Sequence, residues 1–93
     1  MATWTFLTNH AHVLICIAKD PGVRVREIAI RVGITERAAQ RIVGELVDEN
    51  YVERRREGRR NSYSVKHRQL MRHPMESGMA VGELLTVLMQ SDK

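Results

Sequence analysis

The side chains best equipped for chemistry in this 93-residue chain are Arg37, Gln40 and Arg41. Arginine presents forked donors that can bridge O6 and N7 of guanine, and a glutamine amide can pair with N6 and N7 of adenine. Just ahead of them stands Thr35, which suits a helix N-cap and could give its hydroxyl or backbone N–H to a phosphate. Glu36 follows in the first turn, where a negative charge complements the helix dipole. A second cluster lies further on. From Arg54 to Arg72 eight basic residues face one acid, Glu57, whereas the rest of the chain holds seven bases against ten acids. A net charge of +4 concentrated in this way marks an edge that faces a polyanion. Within that edge Arg59 and Arg60 fall at a turn, with Arg55 and Asn61 beside them.

Other chemistries find less support. His12 and Cys16 stand four apart on a helical stretch with His10 nearby, a spacing that could hold a soft metal. Cys16, however, sits inside the apolar run Val13 to Ala18, and free cysteine is among the most buried residue types. A structural role is the better reading, so no metal site and no cofactor are expected. A Cys–His nucleophile pair would need an orienting third group, and the sequence suggests none, so no catalytic residue is assigned and the chain is not expected to be an enzyme. His67 and His73 read as surface or backbone-contacting groups, and Met71, Met75, Met79 and Met89 as fillers of a helix interface.

The elements that must position these residues follow from periodicity. Thr8 or Asn9 caps a first helix to about Lys19, with Ala11, Leu14, Ile15 and Ala18 at helical spacing and Asp20-Pro21-Gly22 as its stop. A two-turn helix over Arg24 to Val32 ends at Gly33, a residue suited to the left-handed position past a helix end. After Thr35, the stripe Ala39, Ile42, Val43, Leu46 and Val47 predicts a third helix to about Asn50. That stripe turns Glu36, Arg37, Gln40, Arg41 and Gly44 outward. Tyr51 to Arg56 and Asn61 to Val65 read as strands of a hairpin around Glu57-Gly58-Arg59-Arg60, and alternation puts Arg54, Arg55 and Arg56 on different faces. Beyond the Pro74 interruption, Val81, Leu84, Leu85 and Leu88 predict an amphipathic helix from about Glu76 to Gln90.

The whole chain, 1 to 93, is expected to form one domain that is mainly α with a small β-hairpin wing. An apolar run of six residues cannot cross a bilayer, and no basic-then-apolar leader opens the sequence. One cysteine allows no internal disulfide. A cytoplasmic protein without a membrane partner is the expectation.

Helix, glycine-containing turn, helix and basic hairpin is the order of a winged helix-turn-helix. Leu7 to Val65 resembles the winged domain of MarR- and ArsR-like prokaryotic transcription regulators. The likeness is carried by REIAIRVGITERAAQRIVGELVDENYVER, in its Ile-Ala, Val-Gly-Ile-Thr and Leu-x4-Tyr-Val positions. The resemblance implies that Thr35, Glu36, Arg37, Gln40 and Arg41 face the major groove of double-stranded DNA. It also implies that Arg59 or Arg60 enters the minor groove from the wing. The chain lacks the paired cysteines of ArsR-type metal sensors, and no effector is carried over.

A winged core needs only about 65 residues of the chain, so the stripe Val81, Leu84, Leu85 and Leu88 has either to fold back or to meet a partner. A homodimer interface through these four residues, joined by Trp4 and Phe6, is the expectation. The competing function class is a protein-interaction module whose basic edge meets an acidic partner.

Overall fold

The computed structural model describes residues 3–90. Helix α1 (Asn9–Lys19) begins where the Thr8 hydroxyl accepts the Ala11 N–H, at 3.3 Å, and ends at Asp20, whose carboxylate takes the Gly22 N–H at 3.1 Å. The chain then turns through Pro21 into α2 (Val25–Val32). Gly33 closes α2 with φ of 85°, and its N–H and that of Ile34 both donate to the Ala29 carbonyl. Only a residue without a Cβ takes that backbone at no steric cost, so the sharp crossing into the next helix depends on it. Helix α3 (Glu36–Asp48) is capped by Thr35, whose hydroxyl accepts the Ala38 N–H at 3.0 Å. It stops two residues earlier than its stripe suggests, because Asn50 adopts φ of 69° and the Tyr51 N–H reaches back to the Leu46 carbonyl.

Strands β1 (Val52–Glu57) and β2 (Arg60–Val65) pair antiparallel from Val52↔Val65 to Glu57↔Arg60. The turn is therefore two residues, Gly58-Arg59, with Gly58 at φ of 66°, the glycine-first arrangement of a II′ hairpin. Arg60 belongs to the strand and not to the turn. In β1 only Val52 is buried, so the hairpin projects from the body, and Arg54, Arg55 and Arg56 are solvent-exposed on both of its faces. Its base is fastened by the Tyr63 N–H to the Pro21 carbonyl at 2.9 Å, and by the buried Tyr63 ring.

Between β2 and the last helix the chain forms turns, and α4 (Val81–Gln90) starts five residues later than its periodicity suggests. The reason is long-range backbone pairing. Leu70 and Ala80 form a β-bridge, and the Met71, Val81 and Gly82 N–H groups donate to Met79, Gln69 and His67. Residues 79–80 thus commit their backbone to residues 69–71. The Glu83 carboxylate then accepts the Ala80 N–H at 3.3 Å, half of a capping box.

One core unites these elements, with α1 at its centre against α2, α3, β2 and α4. Ile17, Val13, Val23, Ile28 and Val52 are its most deeply enclosed large side chains, together with Leu85 from the last helix. Val81, 5% exposed, and Leu85, 2% exposed, belong to this core, which corrects their expected place on a dimer seam. Their half of the stripe folds back because α4 packs directly on α1. Leu84 and Leu88 remain half-buried. Of the methionines, Met71 and Met89 pack against the core, whereas Met75 is 84% exposed and fills no interface among the described residues.

Candidate nucleic-acid interface

The apolar stripe of α3 fixes what its other side presents. With Ala39, Ile42, Val43 and Leu46 buried, the first half of the helix exposes Glu36, Arg37, Gln40 and Arg41 and the second half Glu45 and Asp48, while Gly44, expected outward, is half-buried. Arg37 and Gln40 make no side-chain hydrogen bond or ion pair among the described residues. The Thr35 hydroxyl accepts in the cap and keeps its own O–H to donate. The site at the helix start therefore offers donors outward, and the apolar side fixes their direction.

Arg41 is engaged. Its Nη1 donates to both carboxylate oxygens of Glu45, at 3.3 and 3.2 Å, one helical turn along. Glu45 is held a second time by His10 of α1, Nε2 to Oε1 at 2.7 Å. The His10 hydrogen bond, with Arg41 adding to it, holds the Glu45 carboxyl below the usual carboxylate range. The Arg41–Glu45 spacing of four is legible in the sequence as an ion-pair signal. His10, thirty-five residues away, is not.

The expected wing residues differ in how they are held. Arg59 occupies the turn, exposed, with no partner among the described residues. Arg60 instead donates from Nη2 to the Gly22 carbonyl at 2.9 Å. Arg55 lies 3.7 Å from Glu53, two residues away along the same strand. Asn61 is exposed opposite Arg56, whose Nε braces the turn through the Gly58 carbonyl at 3.1 Å. Arg59, Arg60 and Asn61 come together with Arg24, at the start of α2, around a cleft of about 390 Å³. Arg24 is the basic residue of this cleft that sequence reasoning passes over, since it lies far from the arginine-rich segment.

Away from these surfaces, Trp4 and Phe6 pack edge to face with ring centroids 5.2 Å apart and stay 66% and 92% exposed. Cys16 is buried, and burial pushes its thiol up against the smaller opposing pull of Arg31 and Lys19. The ring of His12 turns to the Asn9 side-chain oxygen at 3.2 Å. Among the described residues no three His, Cys, Asp or Glu side chains gather as a metal site would require. No described helix is long and apolar enough to cross a membrane.

Residues 5–60 match the sequence pattern of the MarR family. Among solved structures, the chain is similar to one described as a predicted DNA-binding transcriptional regulator from E. coli. The two superpose with a TM-score of 0.63 at 18% identity, over 87% of this chain and 74% of that one. No curated protein matches it in sequence. The family match spans more than half the chain and covers α1, α2, α3, β1 and the turn, the parts that carry the exposed α3 face and Arg59. By that match and by the four helices and two-stranded wing among its described residues, the chain belongs to the MarR family, as a DNA-binding transcription regulator of winged helix-turn-helix fold and not an enzyme.

Proposed function

We propose that the protein regulates transcription by reading a specific sequence of double-stranded DNA as a homodimer. Helix α3 enters the major groove. Arg37, Gln40 and Arg41 address base edges there, and Thr35 and Glu36 sit at the helix start beside the backbone. The wing lies on the backbone or in the adjacent minor groove through Arg59, with Arg55, Arg60 and Asn61 alongside. The observation that carries this reading is the exposure of Arg37, Gln40 and Arg41 together on the first half of α3, fixed in direction by its buried apolar side. A regulator of this prokaryotic type acts where the chromosome lies, in the cytoplasm.

The dimer seam is assigned to the apolar surface that the core leaves open. Leu84 and Leu88 line a cleft of about 410 Å³ together with Leu14, Met71 and Thr8, the last close to Trp4 and Phe6 in sequence. Two exposed aromatic rings and an apolar cleft support a contact with a second copy, which would place two α3 helices on two half-sites.

Selecting bound duplexes from a random pool, then titrating a selected and a random duplex at two salt concentrations, tests the reading. The expected result is a palindromic consensus, a steep salt slope and tighter binding to the selected duplex. A pool that stays random after selection overturns it.

A further inference from the structure

We propose that Glu45, itself anchored by His10, is a positioning residue that presets the Arg41 guanidinium for base reading. This inference rests on the assignment of Arg41 to the major groove. The three residues form a chain from α1 to the outer face of α3. His10 Nε2 reaches Glu45 Oε1 at 2.7 Å, and Arg41 Nη1 spans both Glu45 oxygens at 3.3 and 3.2 Å. A glutamate attached only to its own helix would swing with the arginine it holds. A second anchor on a different element removes that freedom, so the carboxylate becomes a fixed post.

Only one guanidinium nitrogen is spent on the post. The Nε–Nη2 edge of Arg41 has no partner among the described residues, and an edge with two parallel N–H groups is what bidentate pairing with guanine requires. The other charges around the post are engaged or set apart. Glu49, just past the end of α3, pairs with Arg72 at 3.8 Å, and His73 accepts the Met75 N–H through Nδ1. Glu76 lines the same cleft as His10 and Glu45 but makes no ion pair with them. The His10 and Arg41 contacts favour the charged form of the carboxylate, which accepts from both. Arginine otherwise loses much side-chain freedom on contacting a base, and a side chain already held loses less.

The test uses the wild-type chain and Glu45→Ala, His10→Ala, His10→Gln and Arg41→Ala, each also combined with Arg41→Ala where distinct. All three positions are exposed or half-exposed, so the fold is retained. The probes are a duplex selected by the wild type from a random pool, the same duplex with each base pair changed in turn, and a random duplex. The base pair at which Arg41→Ala loses discrimination defines what Arg41 reads. At that pair Glu45→Ala is expected to lose discrimination by about two- to fivefold, with other positions unchanged. Affinity for random duplex should hold or rise, since a negative charge near phosphates is gone. His10→Ala should move the same way, and His10→Gln, whose amide nitrogen stands about where the imidazole Nε2 does, should restore wild-type discrimination. In the Arg41→Ala background neither change should have any further effect on discrimination. Unchanged or improved discrimination in Glu45→Ala overturns the proposal, as does an equal loss in the Arg41→Ala background. If Arg41→Ala costs discrimination at no base pair, both the positioning role and Arg41 as a reader fall. A wild type without any sequence preference overturns the DNA-reading function as a whole, and is told apart by the failed selection.

Discussion

Arg60 gives its Nη2 to the carbonyl of Gly22, thirty-eight residues earlier, at 2.9 Å, while its neighbour Arg59 has no partner among the described residues. Two adjacent arginines at a wing thus have different work. Arg60, together with the Tyr63 N–H on Pro21, ties the returning strand to the α1–α2 turn, and Arg59 is left as the charge at the tip.

That difference predicts different phenotypes. Arg59→Ala should weaken binding to all duplexes alike, flatten the salt dependence by about 0.9 in log–log slope if it meets one phosphate, and leave stability unchanged. Arg60→Ala should in addition speed amide exchange at the base of the hairpin, because the fastening is lost. Equal exchange in the two variants would show that the Gly22 contact does not hold the wing.

On α3 the expectation concerns bases. Arg37→Ala, Gln40→Ala or Arg41→Ala should cost about 1 to 3 kcal/mol on the selected duplex where the side chain makes a bidentate contact, and spare the random duplex. Equal losses on both duplexes for all three would mean that the helix only grips phosphates.

Gly82 offers a test of how α4 is seated. A Cβ built there would stand 2.7 Å from the His67 Cβ and 2.8 Å from its carbonyl oxygen, which itself accepts the Gly82 N–H. Backbone cannot yield as a flexible side-chain end can. Gly82→Ala should therefore destabilise by about 1 to 3 kcal/mol, read as a lowered Tm, although alanine is the better helix former. A Tm at or above that of the wild type would show that α4 shifts freely on His67.

What the sequence reveals and what it hides divide along the range of the interactions. The limits of α1, Asn9 to Lys19, are set by a cap and a stop within a few residues, so they are legible. The same holds for Gly33, Thr35 and the outward face of α3. Residues 76–80 read as helix because their own pattern permits it, but Met79 and Ala80 pair with Met71 and Leu70. Periodicity likewise finds the stripe Val81, Leu84, Leu85 and Leu88, and cannot say that α1 covers Val81 and Leu85 first. At the wing, one residue of register decides everything. Glu57 pairs with Arg60, so Arg60 leaves the turn for the strand and finds Gly22.

Two groups set expectations for pH. Glu45 has a lowered folded-state pKa, so its contribution to stability is full above the ordinary carboxylate range and disappears as pH falls through the lower folded value. The Tm difference between wild type and Glu45→Gln should accordingly shrink in acid. Cys16 is raised, so the neutral thiol is favoured in the fold and its contribution is lost as pH rises past the unfolded value. Thiol-directed reagents at neutral pH should react slowly with the native protein and rapidly once it is unfolded. Fast native labelling would place Cys16 at the surface.

The homodimer is tested most sharply by separating the two halves of the C-terminal stripe. Leu85 is 2% exposed, and Leu85→Ala should cost about 2 to 5 kcal/mol of stability because it opens a cavity in the core. Leu84 and Leu88 are half-buried and line the open cleft, so Leu84→Glu with Leu88→Glu spares the core and puts two charges into the proposed seam. The wild type should sediment as a dimer and the double variant as a monomer with helical circular dichroism retained. Affinity for a duplex with two half-sites should then fall sharply, as the second half-site is no longer held at high effective concentration, while affinity for one half-site stays the same. If the double variant remains dimeric, the seam belongs to Trp4 and Phe6, and Trp4→Ala with Phe6→Ala should then release the monomer. A dimer that survives both pairs of substitutions rules out this surface.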